Sequence, residues 1–573
     1  MKQVFYKPKT WLILLLTVAA LVTMCSCANQ KAGGQKQSDA LSTVQCENLY
    51  TLGKVWGVAK YYHPAFTTGA ADWDKELLNL LPQVMVAKDS AEADALLVEW
   101  LKDLDNIEPK EPSPPYIGDK GTKQTKIEPK LVGLLDGAVS SDLSAAILSL
   151  TKSPVSIGAG GPMIFTSYGA SSFENEKPYE EMNYDDDQMR FLGLFRYWNV
   201  IEFYYPYKDI LEDDWDAVLV EFIPRILEGD ELTYKQTLAE MTTRIHDSHT
   251  GIFDDGGVLD LSWGTKYAPL RFSNVEDKVV VTQLTAKYAD TSPLRIGDVV
   301  LKRDGAEIEN VIQEQLKYHS VSREDVFSVA LQRYLFATSE DSMKLTVLRN
   351  GKTLEIDVPC YEDGRPEEQT MPSHKLLLGN IGLINPGYLQ EGELSSIMET
   401  FKDTQGLIVD LRQYPSDLYE PLAKYIMPHS VTFANLSHPD QQFPGRFYMT
   451  EPSPYICGRE NPDYYKNKIV ILVNGETISA AEFSTMALRQ APNATVIGSP
   501  SIGADGNVAK ITLPGNVLTT FTSKGVYTPD GGQTQRIGLQ PDVVCKPTIA
   551  GIAEGRDELL EKAIQYISSK SPS

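Results

Sequence analysis

Two side chains in this 573-residue chain stand out for the chemistry their types and settings allow: the hydroxyl of Ser479 and the imidazole of His249. Ile469 to Val473 is a short apolar run rich in β-branched residues, stopped by Asn474-Gly475, and helix formers take over from Ala480 to Leu488. The run predicts a strand buried on both faces of a parallel sheet, so Ser479 falls where a strand turns into a helix. There, unpaired backbone N–H groups and the positive end of the helix dipole favour an alkoxide or a tetrahedral oxyanion. The same residues spell a capping box, Ser479-Ala480-Ala481-Glu482, in which the serine oxygen accepts from the first turn and the glutamate reaches back. Only a base elsewhere in the chain decides between nucleophile and cap. Asp247-Ser248-His249-Thr250-Gly251 offers one, in a turn after a helix. A lone histidine is usually structural, but beside a candidate nucleophile it predicts a serine–histidine pair.

The elements that must bring these groups together divide the chain into several parts, as its length requires. Trp56 to Pro64 resembles Trp198 to Pro206, Asp72-Trp73-Asp74 resembles Asp214-Trp215-Asp216, and Pro82 matches Pro224, each pair 142 positions apart. Two copies of one helical unit are therefore expected, residues 45–180 and 181–254. Their regularly spaced aromatics are read as helix packing. The first copy ends at Leu104-Asp105-Asn106-Ile107, where the second carries Asp247-Ser248-His249. Between the copies, 108–129 is rich in Pro, Lys and Glu and reads as an exposed loop.

Short strands follow over 262–362: Ala268 to Phe272, Lys278 to Leu284, Val299 to Arg303, Lys344 to Leu348 and Leu354 to Val358. Gly297-Asp298 leading into a strand and then Asp304-Gly305 resembles the PDZ signature, a module that adds an extended peptide as an edge strand; the alternative is a generic small β-domain. Residues 375–569 alternate strand and helix, which predicts a mostly parallel or mixed sheet. Ligands gather at the carboxyl ends of such strands, where Asp410-Leu411-Arg412 and Ser479 both fall.

The N-terminus reads as a signal peptide over 1–27, with lysines, an apolar run from Trp11 to Val22, and Met24-Cys25-Ser26-Cys27. A small residue before cysteine resembles a bacterial lipobox, so Cys27 is the expected lipidation site, followed by a tether over 28–44. An exported, bacterial cell-envelope lipoprotein is the expected localisation, with the membrane touched only through the anchor. A net charge of −24 argues against nucleic acid or an anionic membrane surface as partner. Cys46, Cys360, Cys457 and Cys545 lack metal-ligand spacing and are read as buried thiols or one or two disulfides. No His-Glu-x-x-His, Walker loop or Gly-x-Ser-x-Gly elbow occurs, and neither metal nor cofactor is expected.

Taken in order, the helical unit, Asp247-Ser248-His249, the PDZ-like segment, Gly406 to Arg412, and Asn474 to Glu482 resemble the C-terminal-processing, or tail-specific, serine peptidases and the related tricorn protease. The resemblance covers about Asp186 to Val544. It implies an α/β multidomain fold: a helical N-terminal repeat, a PDZ-like β-rich domain and a ClpP/crotonase-like peptidase core. It implies a serine endopeptidase acting on peptides or protein C-terminal regions, with Ser479 as nucleophile. The processing branch uses a lysine base, but Ala504 stands at its place, so the Ser-His base of the tricorn branch is implied: His249 as base, Ser248 orienting it. That branch puts a glutamate behind the serine before Gly538-Leu539-Gln540-Pro541-Asp542; here the residue is Gln535, which can accept a hydrogen bond from the serine hydroxyl but adds no charge. The oxyanion donors implied are the backbone N–H groups of Ser416 and Ala480, although Gln413 to Asp417 lacks the family's glycines. The alternatives are a non-catalytic lipoprotein binding peptides or apolar ligands on the same scaffold and, less favoured for an exported chain, crotonase-like acyl-CoA chemistry.

Overall fold

The computed structural model describes residues 40–115, 121–131, 133–367, 370–390, 392–416 and 419–569. The signal peptide and the Cys27 lipobox lie outside the described residues. No helix among the described residues is long and apolar enough to cross a membrane.

Two long helices organise the N-terminal part: α1 (Thr43–Tyr62), followed by α2 (Trp73–Val86), and α3 (Asp187–Tyr204), followed by α4 (Trp215–Arg225). Positions paired at the 142-residue spacing make equivalent bonds. Trp56 Nε1 donates to the Trp73 carbonyl at 2.9 Å, and Trp198 Nε1 to the Trp215 carbonyl at 2.7 Å. Across the α1–α3 contact, equivalent positions meet each other: Tyr61 and Phe203 rings lie 5.3 Å apart, and Gly57 lies against Asn199, whose Nδ2 donates to the Gly53 carbonyl one turn away at 2.9 Å. The ion pairs cross over as well. Lys54 bonds Asp216 at 2.6 Å, while Arg196 bonds Asp74 at 2.7 Å. Arg196 and Lys60 also share the buried carboxylate of Glu176, which satisfies charges that would be costly alone.

Helix α5 (Glu231–Thr243) leads to the Asp247-Ser248-His249 turn, and the chain then enters strand β1 (Gly251–Phe253). A β-rich unit follows with β2 (Leu270–Val275), β3 (Lys278–Leu284), β4 (Val299–Arg303), helix α6 (Ile308–Leu316), β5 (Ser342–Arg349) and β6 (Lys352–Pro359). Its sheet runs β6-β5-β4-β3-β2, all antiparallel, with Ala306–Glu307 paired to β4.

The C-terminal core holds β7 (His374–Leu377), β8 (Ile381–Ile384), α7 (Glu393–Phe401), β9 (Gly406–Asp410), α8 (Tyr419–Ile426), β10 (Lys468–Val473), α9 (Ala480–Leu488), β11 (Ala494–Gly498), a hairpin of β12 (Val508–Leu513) and β13 (Val517–Thr522), β14 (Val543–Val544) and α10 (Glu558–Ser568). Strand order is β7-β8-β9-β10-β11-β14, parallel except for β7. β9 is buried along its whole length and β10 from its second residue, as a strand covered by helices on both faces requires. The helical and core parts are not separable: Ala509, Ile511, Leu513, Val517 and Phe521 of the hairpin share one hydrophobic cluster with helices α1, α2, α3 and α4.

One expectation changes, and another narrows to one of its two alternatives. The 108–129 segment is not wholly an exposed loop, since Lys123–Gln124 pairs with Tyr448 and Met449 and Ile127 is buried. Cys46, Cys360, Cys457 and Cys545 are all free thiols.

Candidate active site

Ser479 begins α9 at the carboxyl end of β10, in a backbone conformation of φ +56°, ψ −120°. An ordinary capping serine in this protein, Ser42, sits at φ −69°, ψ 160°. A non-glycine residue in the first conformation is strained, and such strain is usual where a side chain must be presented at a sharp strand-to-helix turn. Glu482 does close its half of the capping box, accepting the Ser479 N–H at 3.1 Å.

That glutamate does more than cap. It is fully buried, and its two oxygens also take the N–H groups of Gly503 at 2.9 Å and Ala504 at 3.0 Å and the hydroxyl of Ser501. Ala504 in turn accepts the Ser479 N–H at 2.9 Å. Loop 501–506 is thereby clamped beneath the serine. Burial raises the Glu482 carboxyl above its ordinary range, while these donors oppose the shift. Asp505, buried beside it, is held well above the usual carboxylate range by burial and by the Glu482 charge.

The turn that carries His249 is linked to the same loop through Thr522. β1 pairs antiparallel with β13, setting Gly251 opposite Thr520 and Ile252 opposite Thr519. The Asp247 carboxylate fastens the turn, accepting the His249 N–H at 3.0 Å and the Thr522 N–H at 2.9 Å. Thr522 Oγ1 then lies 2.9 Å from His249 Nδ1. The loop closes against this threonine: a Cβ on Gly506 would stand 3.2 Å from Thr522 Cγ2 and 2.3 Å from the Lys524 carbonyl, so only glycine fits there. Burial lowers the imidazole pKa below its usual 6.5, with the Asp247 charge pulling the other way. A half-buried imidazole that is neutral near pH 7 is suited to accept a proton.

The remaining predicted site residues are placed differently. Ser248 does not hold the imidazole: its Oγ accepts the Ser322 N–H at 2.8 Å, and Thr522 occupies Nδ1 instead. Gln535 is fully buried, and neither amide atom has a hydrogen-bond partner among the described residues, so the expected Ser248–Gln535 bond does not form. The Ser416 N–H goes to the Pro386 carbonyl at 3.3 Å and its hydroxyl to the same oxygen at 2.7 Å, so this N–H is not free for an oxyanion. Ala480 opens α9, where a first-turn N–H lacks an intrahelical acceptor. No group of three or more His, Cys, Asp or Glu residues suited to a metal occurs among the described residues.

Thr522 was not legible in the sequence. It is a β-branched residue at the end of a strand, 273 positions from His249, and nothing in its local pattern marks it. Asp247 and Glu482 lay inside quoted motifs, but their clamping roles needed the fold.

The fold has counterparts among known proteins. Residues 380–545 match the model of peptidase family S41. The S41 segment contains the whole parallel sheet apart from β7, together with Ser479 and the 501–506 loop. The chain is 28% identical over 202 residues to the carboxy-terminal-processing protease of Bartonella bacilliformis, covering 32% of this chain and 42% of that protein. It is 20% identical over 373 residues to the carboxyl-terminal-processing protease of Synechocystis, covering 63% of this chain and 82% of that one. Among solved structures, mature CPAF superposes with a TM-score of 0.53 at 14% identity, covering 67% of this chain and 99% of that one, which speaks for a shared fold. His249 lies outside the S41 match.

Proposed function

We propose that this chain is an exported, lipid-anchored serine endopeptidase that cleaves peptides or protein C-terminal regions through an acyl-enzyme. The observation that carries the reading is the shared loop: 501–506 holds Ser479 through Ala504 and Glu482 and packs Gly506 against Thr522, the partner of His249. The Thr522 hydroxyl accepts from Nδ1–H, which leaves Nε2 unprotonated. Nε2 takes the proton of Ser479 as Oγ bonds to the scissile carbonyl carbon. The Ala480 N–H and the α9 dipole stabilise the oxyanion. His249 returns the proton to the leaving amine as the C–N bond breaks; water then releases the acyl group by the same path. No cofactor enters these steps. The β-rich unit, read as PDZ-like, presents the peptide. Ser479→Ala should abolish cleavage of an unfolded protein substrate while leaving the circular dichroism spectrum unchanged; undiminished turnover would end the proposal.

A binding protein on the same scaffold is the rival, favoured by the occupied Ser416 N–H and the unpaired Gln535 amide. Such a protein would bind peptide with equal affinity before and after Ser479→Ala and cut neither time.

A further inference from the structure

The segment Ser320 to Val326 leaves the β-rich unit and touches both halves of the candidate site. On the histidine side, Ser248 and Ser322 exchange two bonds: the Ser248 N–H donates to Ser322 Oγ at 2.9 Å, and the Ser322 N–H donates to Ser248 Oγ at 2.8 Å. Ser320 Oγ accepts the Asp247 N–H at 3.1 Å. Two consecutive N–H groups of the turn that carries His249 therefore end on hydroxyls from this one segment, and both hydroxyl-bearing residues are buried.

On the serine side, Arg323 donates to the carbonyls of Ser501 and, at 3.3 Å, Ile537, while Asp325 fixes its guanidinium with bonds of 2.9 and 2.8 Å. Val326 forms a small apolar cluster with Ile502 and Ala504, against which Val321 and Ile478 pack. Loop 501–504 is the one that receives the Ser479 N–H and the Glu482 carboxylate. From the neighbouring strand β2, Arg271 also reaches Glu476, just before the serine, at 3.1 Å.

We propose that Ser322, aided by Ser320 and Arg323, is a positioning residue: a brace from the β-rich unit that fixes the His249 turn against the Ser479 loop. The inference rests on the Ser479/His249 reading. Without the Ser322 hydroxyl the Ser248 N–H loses its acceptor, and the turn is free to settle elsewhere while the rest of the fold stands. A displacement of about 1 Å between base and nucleophile costs on the order of 10² in rate. The bonds lost are those to the His249 turn, so the loss is expected in kcat.

The test uses the full chain. Steady-state peptide hydrolysis, the rate of labelling by a fluorophosphonate, and the thermal midpoint are measured for wild type, Ser322→Ala, Ser322→Thr and Arg323→Gln. Ser322→Ala is expected to lose roughly 10² in kcat and in labelling rate, with KM within about twofold and a folded transition retained. Ser322→Thr, which keeps the hydroxyl, should recover most of that loss. Arg323→Gln should show the same kcat-only signature from the serine side, and decides the matter if Ser322→Ala does not fold. A wild-type rate in Ser322→Ala, or a loss that follows the folded fraction and is not recovered by threonine, overturns the brace. A wild-type chain that takes no label removes the peptidase reading, and the positioning role with it; a labelled wild type beside an unaffected Ser322→Ala removes the positioning role alone.

Discussion

The strained backbone at Ser479 and the threonine on His249 give the site its two sharpest residue-level consequences. A serine at φ +56°, ψ −120° carries strain of about 1–3 kcal/mol that glycine relieves. Ser479→Gly is therefore expected to be inactive yet more stable than wild type by about 1 kcal/mol in urea unfolding; a loss of stability would mean that the conformation is not strained. Thr522→Val removes the hydroxyl that holds Nδ1 and frees the ring to take the wrong tautomer. Its kcat should fall roughly 10², with Thr522→Ser near wild type; equal rates for valine and wild type would leave the contact without a role. Because burial depresses the His249 pKa, the acid limb of kcat/KM should fall below pH 6.5 and not above it. Of these residues the sequence marks only those with a local pattern. Ser479 and His249 sit in short motifs; Thr522 and Ser322 act across 273 and 74 positions of chain, and no periodicity reports that.

At the scale of elements, legibility followed the source of each signal. Gly406–Asp410, Lys468–Val473 and Tyr419–Ile426 begin and end where hydrophobic runs and turn residues put them. Helix Ala480–Leu488 likewise spans the run of helix formers that follows Ser479. The Lys123–Gln124 pairing was invisible because its partner strand lies more than 320 positions away. The α1–α3 contact permits a direct test. A Cβ at Gly57 would lie 1.6 Å from Asn199 Oδ1, and Asn199 is tied to the carbonyls of Gly53 and Phe195 at 2.9 and 2.8 Å. Gly57→Ala must break those bonds or part the helices, and should cost about 3 kcal/mol by chemical denaturation; a loss below about 0.5 kcal/mol would show that the helices do not meet there.

For the whole molecule, several buried or half-buried histidines make stability depend on pH. His63, His246 and His319 are all held below 6.5, chiefly by burial, His319 down to about 4 between Trp263 and Tyr334. Below 6.5 the unfolded chain binds protons that the folded chain refuses, so this stability is complete above pH 6.5 and is lost as pH falls towards the folded values. His319 alone accounts for up to about 3 kcal/mol between pH 6.5 and 4. Buried acids with raised pKa, Glu482 and Asp505 among them, act in the opposite sense, so the comparison is with His319→Gln, whose stability should fall less over that interval. Parallel curves would contradict the assignment.

The central claim is that Ser479 is a nucleophile activated by His249. The most direct measurement is reaction of the full chain with a fluorophosphonate, followed by mass-spectrometric mapping of the modified peptide, in wild type and in His249→Ala. The expected result is a single phosphonylated residue, Ser479, in wild type and a rate at least about 10² lower in the variant. An unmodified Ser479, or labelling that His249→Ala leaves unchanged, would contradict it.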